Sequence, residues 1–338
     1  MKRLWCIVLL AALIGGCSLI DDDLSVCGTD LLVSYQMRLE TNVQMTINEE
    51  LALEIEAPIA AALKQWLSPM FSGKAHDLDM SFYSLDSLDR LRHHQSEVIN
   101  AEQKSFTLYI PREDYMHMAV VNIADNAYMS LTDTQHSSTA RLALSKLDTL
   151  PSQPTAVYTA RLPMEMAKDT VEQYSVHLYM TNCAIALAID TLRTPVEKID
   201  VVLSGTASGF AIRDSVFTYD HPCLCRMEKV MERCYAAVTL PTRDSIVAEE
   251  KPAPIAHRSP SAISNPPALW EMRAYVTLPS GTVTETILSG SEPLRAGTLT
   301  IIRTNLNEDG ALEPLDNSDV GATVTLDWKQ GGEHNIDI

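Results

Sequence analysis

The chain is poor in basic residues, in aromatic residues and in long apolar runs, and each shortage argues against a class of function. It has 26 Lys and Arg against 44 Asp and Glu, a formal net charge of −18, which is unsuited to binding nucleic acid. Aromatic residues make up only 6% of the chain, few for the exposed platforms on which sugars stack. No apolar run reaches the ~20 residues of a transmembrane helix. The 46% of hydrophobic residues still permits a sizeable core.

Motifs of catalysis and of metal binding are also missing. The sequence has no Gly-x-Ser-x-Gly elbow, no glycine-rich phosphate loop and no His-Glu-x-x-His. The pairs His93-His94 and His76-Asp77 lie in polar, turn-like contexts and are interpreted as surface residues. We therefore expect no enzyme, no metal, no cofactor and no small-molecule substrate.

The first residues have the organisation of an export signal. Lys2 and Arg3 precede the apolar run Leu4 to Ile14, and two glycines ending at Gly16 lead into Cys17. At 1.5 Å per helical residue the run is too short to cross about 30 Å of hydrocarbon. We predict a signal peptide over residues 1–16, cleaved between Gly16 and Cys17.

The tetrad Ile14-Gly15-Gly16-Cys17 resembles the lipobox of bacterial lipoproteins. The resemblance implies a diacylglyceryl group on the thiol of Cys17 and an acyl chain on its amino group; the alternative is a plain signal with an incidental cysteine. The run Asp21, Asp22 and Asp23 resembles the surface-export signal of Bacteroidetes lipoproteins, which implies the outer face of the outer membrane. The alternative is a solvated charge run. Residues 17–27 are predicted to form a lipidated, acidic tether.

The cysteines leave their pairing open. Of the seven, Cys6 lies in the signal and Cys17 carries lipid, so five remain, an odd number that cannot all pair. A disulfide between Cys234 and either Cys223 or Cys225 is one interpretation, and buried free thiols are another. The Cys-x-Cys spacing is tighter than that of usual zinc sites, so metal binding is disfavoured.

Period-two alternation of apolar residues predicts a mainly β protein. Helical spacing occurs in Glu49 to Leu67, which predicts one amphipathic helix, kinked or restarted near Pro58. The turn-forming residues Gly, Pro, Asn and Asp separate most of the alternating segments, which favours β-sandwiches over βαβ units. Alternating segments recur along the chain, at Leu31-Leu39, Phe106-Ile110, Val176-Met180, Cys183-Ile189, Ile199-Leu203, Met272-Leu278, Leu299-Ile301 and Val324-Trp328.

Prolines between 151 and 163 predict a domain boundary. We predict an N-terminal β-sandwich over residues 28–165 and a C-terminal β-sandwich over residues 166–338. Five prolines within residues 251–267 predict a long exposed loop inside the second domain.

Three segments in chain order resemble the Bacteroidetes fimbrial anchor subunits of the FimB type, related to the minor-fimbrium anchor protein. These are Cys17-Ser-Leu-Ile-Asp-Asp-Asp-Leu-Ser-Val-Cys27, Ser204-Gly-Thr-Ala-Ser-Gly-Phe210 and Val320-Gly-Ala-Thr-Val-Thr-Leu-Asp-Trp328-Lys-Gln-Gly-Gly332. The resemblance implies two tandem transthyretin-like Greek-key β-sandwiches, and the helical spacing in Glu49 to Leu67 adds a short helix in the first. It implies a lipid-anchored, length-terminating fimbrial subunit that joins shaft subunits by strand addition. Val324, Leu326 and Trp328 form the candidate subunit interface; the alternative is that they simply close the second sandwich. The alternative is a surface glycan-binding lipoprotein of a nutrient-uptake system.

Overall fold

The computed structural model describes residues 32–41, 55–70, 76–98, 105–111, 113–165, 173–245, 268–315 and 323–324. In this part of the chain there are one helix, α1 (Ala57–Met70), and 22 strands. No helix in these ranges has the length and apolar character needed to cross a bilayer. The strands are β1 (Leu32–Thr41), β2 (Asp77–Ser84), β3 (Leu91–Val98), β4 (Ser105–Pro111), β5 (Tyr115–Val121), β6 (Met129–Thr132), β7 (Arg141–Leu144), β8 (Leu150–Pro151), β9 (Tyr158–Met164), β10 (Gln173–Met180), β11 (Cys183–Leu192), β12 (Lys198–Ser204), β13 (Gly209–Ala211), β14 (Val216–Thr218), β15 (Leu224–Arg226), β16 (Glu228–Met231), β17 (Cys234–Thr239), β18 (Trp270–Thr277), β19 (Val283–Gly290), β20 (Leu299–Leu306), β21 (Leu312–Pro314) and β22 (Thr323–Val324).

The strands form four sheets, so the predicted mainly β fold is confirmed. A seven-stranded sheet has the order β3-β2-β5-β9-β10-β1-β4. A six-stranded sheet has the order β16-β17-β11-β20-β21, with β22 also paired to β20. A five-stranded sheet has the order β19-β18-β12-β15-β8, and a four-stranded sheet has the order β14-β13-β7-β6. Most pairs are antiparallel, whereas β1 with β10, β11 with β20 and β15 with β8 are parallel.

The seven-stranded sheet folds back on itself to enclose the first core. One apolar cluster contains Phe82 of β2 and Leu108 of β4, which lie five strands apart in the sheet order. In a flat sheet these strands would be about 24 Å apart, at ~4.8 Å per strand. Strand β10 makes the fold possible because Gln173–Leu178 pair with β1 while Tyr179 and Met180 pair with β9.

The second core lies between the six- and five-stranded sheets. Alternate residues of β11, among them Ile185 and Leu187, face Val201 of β12 and Met272 of β18. All four are almost inaccessible to solvent, and fully burying such a side chain contributes about 1.5–3 kcal/mol. The alternation therefore determines which face of β11 meets the other sheet.

The helix covers the opposite face of the six-stranded sheet. The other residues of β11 are Ala184, Ala186 and Ala188, and their small side chains let α1 approach closely. Helical spacing places the side chains of Ile59, Leu63 and Leu67 against this alanine face of β11, where they have no solvent-exposed area. The start at Ala57 agrees with the predicted restart at Pro58, in the first turn, where proline is tolerated. The helix precedes β2 in the chain, yet it packs on the second sandwich rather than on the first.

The four-stranded sheet joins the two halves of the chain. Its hairpin β6-β7 precedes residue 165 and its hairpin β13-β14 follows it, and Leu142 pairs with Phe210 where they meet. An ion pair of 3.1 Å between Arg213 and Asp89 also crosses the junction. Strand β10 lies after residue 165 but belongs to the first sheet. The division at residues 165 and 166 stays a prediction.

Candidate functional site

The candidate site is the outer edge of the six-stranded sheet at β20, where the last described strand pairs. Two short strands share this edge: β21 pairs with Thr304–Leu306, and β22 pairs through Leu299↔Val324 and Thr300↔Thr323. Between them the Leu315 amide donates to the Arg303 carbonyl at 3.1 Å. The described C-terminal segment thus returns along β20 and is held there by two residue pairs.

Strand β20 is a core strand on both faces. Leu299 and Ile301 pack under the helix, whereas Ile302 and Leu306 belong to the core between the sheets. On the other side of β20, β11 pairs with it in parallel over most of its length. An ion pair between Arg303 and Asp190 fastens the two strands further. Strands β21 and β22 are therefore added to the outer edge of a strand that is already held by two apolar cores and by β11.

Most predicted site residues lie outside the described residues. These are Gly16, Cys17, Asp21, Asp22, Asp23, Leu326 and Trp328. Val324 is described as backbone, and its pairing with Leu299 places it on the outer edge of β20. The lipidation, export and interface assignments stay predictions.

The predicted disulfide is not formed in the structure, where Cys223, Cys225 and Cys234 are free and buried. The reason is that each lies in a different apolar cluster. Cys223 belongs to the cluster beside the four-stranded sheet, Cys225 to the core between the sheets, and Cys234 to the cluster under the helix. A fourth thiol, Cys183, is also free and buried.

These thiols are held in their neutral form. Burial raises the pKa of Cys225 and of Cys234 to about 12. Burial likewise raises the pKa of Cys223, and it raises that of Cys183 further still. The thiolate is the nucleophile and the metal ligand, so the four cysteines are inert in the folded protein.

A Ser, a His and an Asp meet on the β2-β3 hairpin without forming a catalytic arrangement. Nε2 of His94 lies 2.8 Å from the Asp79 carboxylate and 3.4 Å from the Ser96 hydroxyl. One ring nitrogen thus faces both partners, whereas a triad needs the acid and the nucleophile on different nitrogens. Among the described residues, no group of three or more His, Cys, Asp or Glu side chains is arranged to hold a metal ion.

A cavity of about 430 Å³ lies beside the junction of the two halves. Its walls include Tyr219, Asp220, Arg243 and Thr206, and the Arg243 guanidinium carbon lies 4.7 Å from the centre of the Tyr219 ring. Burial raises the pKa of Tyr219 to about 12, so its hydroxyl stays protonated. Thr206 is 3% exposed, and its hydroxyl oxygen has no hydrogen-bond partner in the described structure.

Sequence reasoning missed this cavity because nothing local marks it. Its walls come from four parts of the chain that are far apart, near residues 204–206, 219–224, 243 and 268–269. The sequence feature that lies nearest to the cavity is the segment Ser204 to Phe210, which carries part of the family resemblance.

No protein-family model matches the chain, and no curated protein matches it significantly. Solved structures do resemble it. A candidate adhesin from Bacteroides ovatus has a TM-score of 0.51 at 10% identity, covering 85% of this chain and 96% of its own. A candidate polysaccharide-binding protein (DUF1812) from Bacteroides thetaiotaomicron has a TM-score of 0.50 at 11% identity, covering 84% of this chain and 99% of its own.

A fimbrial assembly protein from Parabacteroides distasonis is also similar, with a TM-score of 0.45, 10% identity and coverage of 84% of this chain and 94% of its own. Similarity at that level supports no conclusion by itself. At identities of 10% and 11%, the two higher-scoring structures establish the fold alone.

Proposed function

We propose that this chain is a structural subunit of a cell-surface fimbrium, which holds the polymer to the outer membrane through lipid on Cys17 and ends its growth. Two features of the sequence support the attachment: the lipobox Ile14-Gly15-Gly16-Cys17 and the acidic run at Asp21 to Asp23. A single acyl chain binds a bilayer only marginally, so several chains on one cysteine would be needed for a stable anchor.

The observation that carries the subunit role is the position of β22. This strand is the last one described, it lies at a sheet edge, and it is held to β20 by two residue pairs. Its neighbours in sequence continue the alternation with Leu326 and Trp328.

Strand addition supplies the joining mechanism. An extended segment added at a sheet edge gains main-chain hydrogen bonds for affinity and alternate side-chain contacts for specificity. In this proposal the C-terminal segment of the anchor either leaves β20 to enter a shaft subunit or stays there as the core of the contact. A subunit that keeps its N-terminal lipid offers the polymer only one growing end, which accounts for length termination.

The test is truncation after Asp319, with truncation after Gly332 as the matched control that keeps the alternating segment. Loss of a donated strand leaves a folded, membrane-bound protein, whereas loss of a core strand lowers the urea midpoint of unfolding. Either result should be accompanied by shed or overlong fimbriae in electron micrographs, and the control should retain normal ones. A folded truncated protein on cells with attached fimbriae of normal length would contradict the proposal.

A second candidate function is saccharide binding, which the cavity lined by Tyr219, Asp220 and Arg243 favours. An aromatic ring beside a carboxylate and a guanidinium offers apolar contact together with hydrogen-bond donors and acceptors for hydroxyl groups. Calorimetry against a polysaccharide panel, with Arg243→Ala as the variant, tests it. Binding that survives the substitution, or no binding at all, rejects this site.

A further inference from the structure

Exposed sheet edges attract other strands, and folded proteins protect them with charges, bulges, short length or a covering loop. Strand β3, at one edge of the seven-stranded sheet, has such protection. It carries Arg92 and Glu97, and its pairing with β2 is interrupted by a bulge between Phe82 and Tyr83.

The other long edges are protected too. Strand β19 carries Glu285, and the loop before β21 covers it through Thr284, whose hydroxyl donates to the Asp309 carbonyl at 2.6 Å. Strand β16 is bulged and carries Glu228 and Lys229. The edge strands β6, β8, β14 and β21 have four residues or fewer.

Among the described residues, strand β4 has none of these devices. Its seven residues, Ser105–Pro111, include no charged residue and no glycine, and its one proline is the last residue. It pairs with β1 through seven consecutive residues without a bulge. Its other side has no strand partner among the described residues. Because β4 lacks the protection that the other edge strands have, its outer edge can pair with a further strand.

We propose that β4 pairs with β4 of a second copy of this chain, antiparallel about Leu108. Residues directly opposite in an antiparallel pair point to the same face. The pairing therefore sets Thr107 against Tyr109 of the second copy on the exposed face, and Phe106 against Ile110 on the buried face. Both are combinations of an aromatic with a β-branched residue, which favour sheet pairing. The burial pattern is symmetric about Leu108, with Thr107 and Tyr109 exposed and Phe106 and Ile110 buried, so exposed residues meet exposed residues and buried residues meet buried residues.

Charge opposes this association and makes it weak. Each copy carries a formal net charge of −18. Screening length falls from about 30 Å at 0.01 M salt to about 3 Å at 1 M, so salt relieves this repulsion. The contact is also small beside the standard ~1,600 Å² of a stable interface, so we expect a weak dimer.

Sedimentation equilibrium of the chain from residue 18 onward, which includes every described residue, tests the pairing. In 0.5 M NaCl we expect a monomer–dimer equilibrium that weakens at least fivefold in 0.02 M NaCl. Thr107→Lys places a charge on the edge and should weaken the dimer at least tenfold. Val283→Lys, at another exposed edge position, changes the net charge equally and should not weaken it. A monomer up to 1 mM in high salt, or equal effects of the two substitutions, overturns the proposal.

The register has its own test. Thr107→Glu together with Tyr109→Lys should set an acidic residue opposite a basic residue of the second copy at two places and tighten the dimer at least fivefold relative to Thr107→Lys. Equal dissociation constants for the two variants overturn the pairing about Leu108. Neither measurement involves lipid or a shaft subunit, so failure here leaves the anchor proposal untouched.

Discussion

Trp270 lies directly opposite Gly290 in the β18-β19 pair, and its indole fills the space that any side chain at position 290 would need. A β-carbon at Gly290 would lie 2.1 Å from Cζ2 of the ring. The indole cannot withdraw easily, because it is 2% exposed and its N–H donates to the Glu292 carbonyl at 2.9 Å. Glycine is thus required here for close approach rather than for backbone conformation.

We therefore expect Gly290→Ala to lower the free energy of unfolding by about 3 kcal/mol, the upper range for overpacking a core. Urea denaturation measures it, with Ser289→Ala on the exposed side of the same strand as the control. In a Trp270→Phe background the cost of Gly290→Ala should shrink, since the smaller ring leaves room. Additive losses in the double variant would contradict the steric explanation.

His117 should make the protein sensitive to mild acid. Its side chain is fully buried, stacked on Phe82 with ring centroids 4.3 Å apart, and Nδ1 lies 3.2 Å from the Ser81 carbonyl. A carbonyl only accepts, so Nδ1 carries the proton, and Nε2 has no partner among the described residues. Burial lowers the pKa of His117 from 6.5 to about 4.

The direction of this pH dependence follows from the difference in proton binding between the folded and the unfolded chain. Between pH 6.5 and 4 the unfolded chain binds a proton at His117 that the folded chain does not, so stability falls as pH falls through this window. The loss approaches roughly 3 kcal/mol, at 1.36 kcal/mol per pKa unit. His117→Phe keeps the stacking on Phe82 and should flatten this part of the curve of stability against pH. An unchanged curve for His117→Phe would exclude the buried imidazole as its cause.

The buried thiols should resist alkylation until the protein unfolds. Cys183, Cys223, Cys225 and Cys234 are at most 4% exposed, and burial raises the pKa of each. Iodoacetamide at pH 8 should leave all four unmodified in native protein and modify all four in 8 M urea without reductant, as read by peptide mass spectrometry. Cysteines that react in urea only after reduction would support the disulfide interpretation of the sequence over the interpretation as free thiols.

Cys17→Ala should leave the protein uncleaved or released from the membrane, because acylation and lipoprotein-specific cleavage both depend on that thiol. Cys27→Ala is the matched control, since it removes a nearby thiol that the lipobox does not include. Mass spectrometry of the mature N-terminus and membrane fractionation decide the outcome. An unmodified mature peptide that starts elsewhere than Cys17 would end the lipoprotein interpretation.

The sequence alone determined the class of the fold, because a strand with alternating apolar residues buries one face regardless of which element packs against it. Leu31 to Leu39 predicted β1, and the regular alternation at Phe106 to Ile110 predicted β4. Proline at position 58 marked the start of α1 because its effect on the backbone is local.

Tertiary structure alone decided which surfaces these elements meet. Nothing near Ile59 or Leu63 in the sequence shows that their side chains pack on the alanine face of β11, more than a hundred residues later. The cysteines were close enough in sequence to suggest a disulfide, yet the fold places Cys223, Cys225 and Cys234 in three separate apolar clusters. Edge protection, cavities and shared sheets depend on contacts between distant segments, and local residue patterns hold no information about those partners.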